Sequence, residues 1–481
     1  MGIKKRETYE LDIVDMAFGG RGIAKVDGFT IFVDRTAPMD KVRARVYKKK
    51  KNFAEAGVVE LISPSPFRVE PPCRYSGFCG GCKWQFLDYK KQIELKQRHV
   101  MESIEHIGLV SGMTVHDTIP SESIFGYRNK MEFSCSDRRW LLPDEMNNET
   151  IDTGFALGLH VPGTFYKVLD TDACLLQPEV GNRILNDVRA YMKNSREPAY
   201  GLRSHEGFWR FLMLRHSFHH DQWMVNIITA KDRRRIVQPL ADYLAEHYPN
   251  VISVVNNITS SRAGIAVGET EVALAGEPVI KDRIGSFEFD ISANSFFQTN
   301  TRQAERLYTK IQDYAELKGN EIVLDLYSGT GTIPIWLAGS AKRVTGFEMV
   351  ESAVADAIKN SKNNGIDNVG FVQGDIRDSL GRVDQKPDVM IIDPPRAGMH
   401  KDIVKQVLAM APVKIVYVSC NPATLARDIG LMKDDYELAE VQPVDMFPHT
   451  FHIEAVAKLV RRAKYNLEKP KRQLSTGKTD P

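Results

Sequence analysis

The chain has 481 residues and a net charge of +2. It is therefore too long for one hydrophobic core, divides into two to four domains, and is not a polycation overall. No run reaches the ~18 consecutive apolar residues of a membrane helix, six cysteines in so long a chain exclude a disulfide scaffold, and nothing apolar follows Met1-Gly2-Ile3-Lys4-Lys5-Arg6-Glu7 to direct export; the expectation is a cytoplasmic protein.

Residues 1–62 read as a small OB-like β-barrel. Tyr9 to Val14 alternates like a half-buried strand, Phe18 to Ala24 is a glycine-rich turn, and Phe29–Val33 and Lys41–Tyr47 are further strands. Residues 41–51 hold seven basic residues and no acid. A second basic run lies from Lys458 to Arg472, with Glu468 its one acid. Two such runs point to a polyanion, and short strands with a basic outer face suit single-stranded nucleic acid. Ser63-Pro64-Ser65-Pro66 reads as a linker.

Residues 67–290 are expected to form a central α+β domain. It carries Cys73, Cys79 and Cys82, a helix from Gln85 to Ile107, strands around Trp209–Arg215 and Trp223–Ile228, and a helix from Gln238 to His247. Asp137 to Asp152 is polar and reads as a surface insertion. The cysteine triplet needs a fourth ligand, and Cys174 is the candidate; four thiolates suit zinc or an iron–sulfur cluster, and spacing does not choose between them. Cys135 is left as a buried small hydrophobe.

Residues 291–465 read as a doubly wound α/β domain, because short apolar strands alternate with helical segments. Leu324-Asp325-Leu326-Tyr327-Ser328-Gly329-Thr330-Gly331-Thr332 is a strand and a glycine turn entering a helix. Glu348 ends the next strand, where an acid accepts ribose hydroxyls, and Asp375 and Asp393 follow the next two. A nicotinamide dinucleotide wants a third glycine where Pro334 stands. S-adenosylmethionine, which has no pyrophosphate, fits better. Residues 466–481 form a basic polar tail.

Cys420 ends the apolar run Val416-Tyr417-Val418, and Asn421-Pro422 cannot continue a strand. Its thiol is thus expected at a strand end, the usual place for chemistry in a parallel sheet. Glu454 lies downstream. Methylation at uracil carbon 5 needs these two groups. A thiolate adds to carbon 6, carbon 5 attacks the sulfonium methyl, and a base then removes the carbon-5 proton. Asp393 and Arg396 could orient the base, and His449 and His452 are other proton carriers. The target base must be swung out of its stack, and Phe296 and Phe297 are aromatic candidates beside the site. A non-catalytic RNA chaperone would need only the barrel and the basic runs.

The stretches Asn294–Asn300, Leu324–Thr332, Asp393–Gly398, Ser419–Asp428 and Asp445–Glu454 resemble the RNA uracil-5-methyltransferase family, and most closely its bacterial 23S ribosomal RNA enzymes. The resemblance implies a Rossmann-like S-adenosylmethionine-dependent domain and a TRAM domain at residues 1–62. It implies cofactor contacts from Gln298, Tyr327, Glu348, Asp375 and Asp393, with Cys420 as nucleophile and Glu454 as base. It also implies a [4Fe-4S] cluster on Cys73, Cys79, Cys82 and Cys174, with zinc the alternative metal. The implied partner is RNA, 23S ribosomal RNA before transfer RNA, and the expected state is a monomer away from membranes. Ser328 and Thr332 depart from the family, which often has cysteine and asparagine there.

Overall fold

Alternation of apolar and basic residues carries the N-terminal segment into a sheet. In the strand Lys41–Lys49, Val42, Ala44 and Val46 are buried while Lys41, Arg45, Lys48 and Lys49 are exposed. The computed structural model describes residues 2–383 and 385–463; the tail expected at 466–481 lies outside the described residues. Six strands in the order Thr8–Asp12, Lys41–Lys49, Phe53–Ser63, Phe29–Asp34, Gly22–Val26, Asp15–Met16 wrap a small core of Leu11, Ile31, Val33, Val42, Val46 and Ala56.

A second sheet of eight strands follows. Its centre is Lys130–Ser136, Trp209–His216, Trp223–Thr229 and Val251–Ile258, and the helices Glu179–Asn194 and Arg234–His247 share its core. The second helix starts four residues before the expected Gln238 and accommodates Pro239 in its interior. The segment 137–152 is more than a surface insertion. Arg139–Trp140 pairs in parallel with Val168–Asp170, and Leu142 is buried.

The third sheet positions the site. Its order is Val369–Gln373, Arg343–Glu348, Ile322–Leu326, Val389–Ile392, Lys414–Ser419, Glu454–Arg461, Tyr436–Val444, Thr114–Val115. The first five strands run parallel, and Ile322–Leu326, Val389–Ile392 and Lys414–Ser419 among them are almost wholly buried and largely apolar, as strands covered on both faces must be. Glu454–Arg461 is inserted antiparallel between Lys414–Ser419 and Tyr436–Val444. The strand order reverses at Ile322–Leu326, where ligands bind beyond the carboxyl ends of the strands.

The helix expected at Gln85–Ile107 runs Tyr89–Ser103 and ends in a wider turn, Ile104–Gly108. Asp88 starts it by accepting a hydrogen bond from the Lys91 amide at 3.2 Å. This helix packs on the third sheet and not on the second: Val100 and Ile104 share a core with Leu324, Tyr417 and Ala426. No helix among the described residues is long and apolar enough to cross a membrane.

Ile391, fully buried in the strand beside Ile322–Leu326, measures this core. Ile391→Ala is expected to cost about 2–5 kcal/mol, read as a lower urea midpoint; an unchanged midpoint contradicts this packing.

Candidate active site

The turn after Ile322–Leu326 is built under constraint. Tyr327 has φ +70°, a left-handed conformation that is costly for a bulky residue and concentrates at functional sites. Gly331 follows at φ +79°, and a Cβ there would lie 2.7 Å from the Phe371 ring. Glycine is thus required both by conformation and by packing. The turn faces a pocket of about 510 Å³ lined by Phe296, Tyr327, Glu348, Val350, Asp375 and Ile376, among others. Glu348 is held in place by the amide of Gly329 at 3.0 Å and those of Met349 and Val350 at 2.8 Å each. Asp375 caps the short helix Ile376–Ser379 and pairs with Arg377, which holds its carboxyl down to about 2.

The pocket therefore gathers three of the five expected cofactor residues, Tyr327, Glu348 and Asp375. Gln298 and Asp393 lie outside its lining; both act on the buried Tyr308, whose hydroxyl is 2.7 Å from Thr332. Phe296 is exposed at the rim. Phe297 is buried against Phe289, a core residue.

One acid went unnoticed in the sequence. Asp325 is fully buried, and neither carboxylate oxygen has a protein hydrogen-bond partner. Burial first, then the charges of Asp393 and Glu348, push its carboxyl well up. The available signal was a single acid inside an otherwise apolar strand, Ile322-Val323-Leu324-Asp325-Leu326.

Cys420 and Glu454 are brought together by strand register. Ser419 pairs with Ala455 across the antiparallel strands, so the next position opposes Cys420 to Glu454 at the carboxyl edge of the sheet. Asn421 then stops the strand and caps the helix Pro422–Met432, accepting from the Ala423 amide at 3.1 Å. Burial and the Glu454 charge push the Cys420 thiol up to about 11, while Arg396 pulls it down. Glu454 is buried, and burial and Asp393 raise its carboxyl well above the usual range against the pull of Arg396. Burial lifts Asp393 to about 6. Each of these shifts disfavours charge in a dry site.

Arg396 is held through its backbone. Its carbonyl accepts from Asn421 Nδ2 at 3.2 Å and Thr424 Oγ1 at 3.3 Å. Its guanidinium lies 3.1 Å from His452 Nδ1. Burial, then Arg396, lowers His452 to about 4, and burial lowers His449 to about 4. Both rings are therefore neutral near pH 7 and weaker bases than expected. His449 also turns away from the site, stacking on Phe125 with ring centres 4.4 Å apart.

Cys73, Cys79, Cys82 and Cys174 line one cavity of about 300 Å³, whose wall includes Thr299 and Thr450. Burial pushes the Cys79 and Cys82 thiols up to about 12. Among the described residues no group of three or more His, Cys, Asp or Glu is gathered closely enough to hold a metal ion. The shared cavity alone therefore shows neither the expected iron–sulfur cluster nor the zinc alternative. Cys135 is buried 3.8 Å from the Met192 sulfur, as a small hydrophobe.

Comparison with known proteins agrees along the chain. Residues 3–59 match the TRAM domain, residues 215–377 the tRNA (uracil-5-)-methyltransferase family, and residues 317–450 a methyltransferase domain. An uncharacterized RNA methyltransferase of Chlorobaculum tepidum is 42% identical over 466 residues, covering 94% of this chain and 96% of its own. Another, of Porphyromonas gingivalis, is 40% identical, covering 94% and 99%. The crystal structure of Pyrococcus abyssi tRNA (uracil-54, C5)-methyltransferase with S-adenosyl-L-homocysteine superposes with a TM-score of 0.74 at 30% identity, covering 94% of this chain and 99% of that one. With its TRAM sheet, its doubly wound sheet and relatives alike over almost their whole length, the chain belongs to the RNA uracil-5-methyltransferase family and is an RNA methyltransferase that uses S-adenosylmethionine.

Proposed function

We propose that the protein methylates carbon 5 of a uridine in RNA, 23S ribosomal RNA, through a covalent adduct on Cys420, in the cytoplasm and as a monomer. The observation that carries this reading is the register that sets Cys420 opposite Glu454 with Asp393 and Arg396 beside them. Transfer RNA is the second reading, favoured by the named substrate of the Pyrococcus abyssi enzyme.

The cofactor occupies the pocket of Tyr327, Glu348 and Asp375 and reaches inward to Gln298 and Asp393. Asp325 is raised by burial and by the charges of Asp393 and Glu348, with no protein cation among the causes. A ligand carrying a sulfonium and an ammonium relieves that repulsion. RNA lies in a groove of about 1330 Å³ between the TRAM sheet and the cysteine loop, lined by Arg21, Arg35, Arg68, Lys83, Phe86 and Phe451. Lys83 and Phe451 continue into a smaller pocket that ends at Arg396 and His452, so the groove leads to the thiol.

The Cys420 sulfur, deprotonated beside Arg396, adds to carbon 6. Carbon 5 then takes the methyl group as its bond to the sulfonium breaks and S-adenosylhomocysteine departs, the Glu454 carboxylate removes the carbon-5 proton, and the sulfur leaves as the ring double bond reforms. The four cysteines line one cavity, and we assign them to a [4Fe-4S] group that they would hold. When bound, that group supplies cross-links between the 73–82 loop and Cys174.

Removing the base should stall the last step. Glu454→Gln is expected to slow turnover about 10²–10⁴-fold and to leave methylated RNA attached to the protein; Cys420→Ala should give no attached RNA yet keep cofactor binding. Free methylated RNA from Cys420→Ala would refute the covalent route.

The pH dependence follows from the thiol. Its folded value of about 11 leaves the reactive thiolate scarce near neutrality, so trapping on 5-fluorouridine RNA should speed up as pH rises toward that value. Arg396 lowers the thiol, so Arg396→Gln should move the ascending limb to higher pH. A limb that stays in place or moves down contradicts the Arg396–Cys420 interaction.

The cysteine assignment is checked by iron and acid-labile sulfide analysis of anaerobically purified protein. Both should be present in the wild type and lost, with a lower Tm, in Cys79→Ser. Stoichiometric zinc with no sulfide would reject the cluster.

A further inference from the structure

The nine residues from Asp445 to Ile453 join the strands Tyr436–Val444 and Glu454–Arg461 and so deliver Glu454 to its place. Within this segment no ladder fixes the backbone, and His449 sits at φ +65°, a left-handed conformation that persists only where the surroundings impose it. The helix Tyr89–Ser103 supplies much of what holds it, together with Trp84, Asn300 and Gln303, whose N–H groups bind the carbonyls of His449, Met446 and Asp445. Lys96 Nζ donates to Asp445 Oδ1 at 2.5 Å and to the Phe447 carbonyl at 3.1 Å. Tyr89 donates to the other Asp445 oxygen at 2.9 Å. Gln92 accepts from the His449 amide at 2.9 Å, while its own amide group binds the carbonyls of Trp84 and Leu87.

Lys96 and Asp445 are both fully exposure-free, with side chains at 0%. A buried ion pair is a poor way to gain stability, since apolar residues of the same volume do as well or better. Its established use is to specify one arrangement. Here the arrangement is that of the segment leading into Glu454, which also presents His452 to Arg396. Resting on the reading of Glu454 as base, we infer that Lys96 is a positioning residue for proton removal: through Asp445 and the Phe447 carbonyl it fixes the segment that sets Glu454 opposite Cys420.

The test separates the two halves of the reaction in the full-length protein. Lys96→Met is given unmethylated RNA and radiolabelled S-adenosylmethionine, with Glu454→Gln as reference. Expected is a turnover lowered by about tenfold or more, with methylated RNA accumulating on Cys420 as in Glu454→Gln. The initial rate of trapping on 5-fluorouridine RNA, which needs no base, should stay within about twofold of wild type.

Turnover within about twofold of wild type overturns the inference. So does an equal fall in turnover and fluorouridine trapping, which marks a merely structural residue. If Lys96→Met does not fold, the neutral pair Lys96→Met with Asp445→Leu replaces it: accumulation of attached RNA supports the inference, and normal turnover overturns it. Failure of Glu454→Gln itself to hold methylated RNA rejects the base assignment, and this inference with it, whatever Lys96→Met does.

Discussion

The reaction depends on one strand running backwards. In a purely parallel sheet only the carboxyl ends of strands reach the ligand edge, so only strand-terminal residues such as Asp393 and Cys420 gather there. Glu454–Arg461 runs antiparallel to Lys414–Ser419, which puts its first residue at that same edge. Register then does the rest. Val456, Ala457 and Leu459 are buried on both sides of the pleat, and a slip of one residue would exchange every side chain between faces. The hydrophobic pattern of two strands therefore sets Cys420 and Glu454 in register, and the hydrogen bonds of Lys96 hold the segment that enters the strand at Glu454.

That placement carries an electrostatic cost which the fold accepts. Asp325, Asp393 and Glu454 are acids in a low-dielectric edge, with Arg396 the cation acting on Cys420 and Glu454. Arg396 is exposed, is anchored by its carbonyl, and sets its guanidinium beside His452 rather than in an ion pair among the described residues. Buried uncompensated carboxylates destabilise a protein. They become favourable once a cation enters, and binding energy for a positively charged cofactor is stored in this way. The same dryness raises the thiol against the pull of Arg396.

Much of this was legible in the residues, because local rules govern the elements involved. Proline after asparagine ends the Cys420 strand and starts a helix at one stroke. Alternation in Lys41–Lys49 separates a basic face from an apolar one. Acids after apolar strands mark the ligand edge. What the sequence hid is long-range. Thr114–Val115 pairs with Glu440 and Val441 more than three hundred positions away, and the helix Tyr89–Ser103 serves the catalytic sheet although its neighbours in sequence belong elsewhere. Asp325 reads as an oddity in an apolar strand until its unpartnered oxygens are seen. Lys96 reads as one more solvated lysine, since its partner lies some 349 residues on. Gly331 gave a turn signal, but only the approach of Phe371 shows why alanine would not fit.

The cysteine cavity gains a place in the same scheme. The proposed reaction breaks and forms every bond with electron pairs, so a redox group has no step to perform. Its walls suggest why it lies where it does. Thr299 follows Gln298 in the loop toward the cofactor, and Thr450 belongs to the segment leading to Glu454. Trp84, two residues beyond Cys82, donates its amide to the His449 carbonyl at 2.9 Å. The cysteine loop is thus wedged between the loop that carries Gln298 and the segment leading to Glu454. A group bound by the four sulfurs, as proposed, would tie both neighbours together, and the loop also floors the groove leading to Arg396.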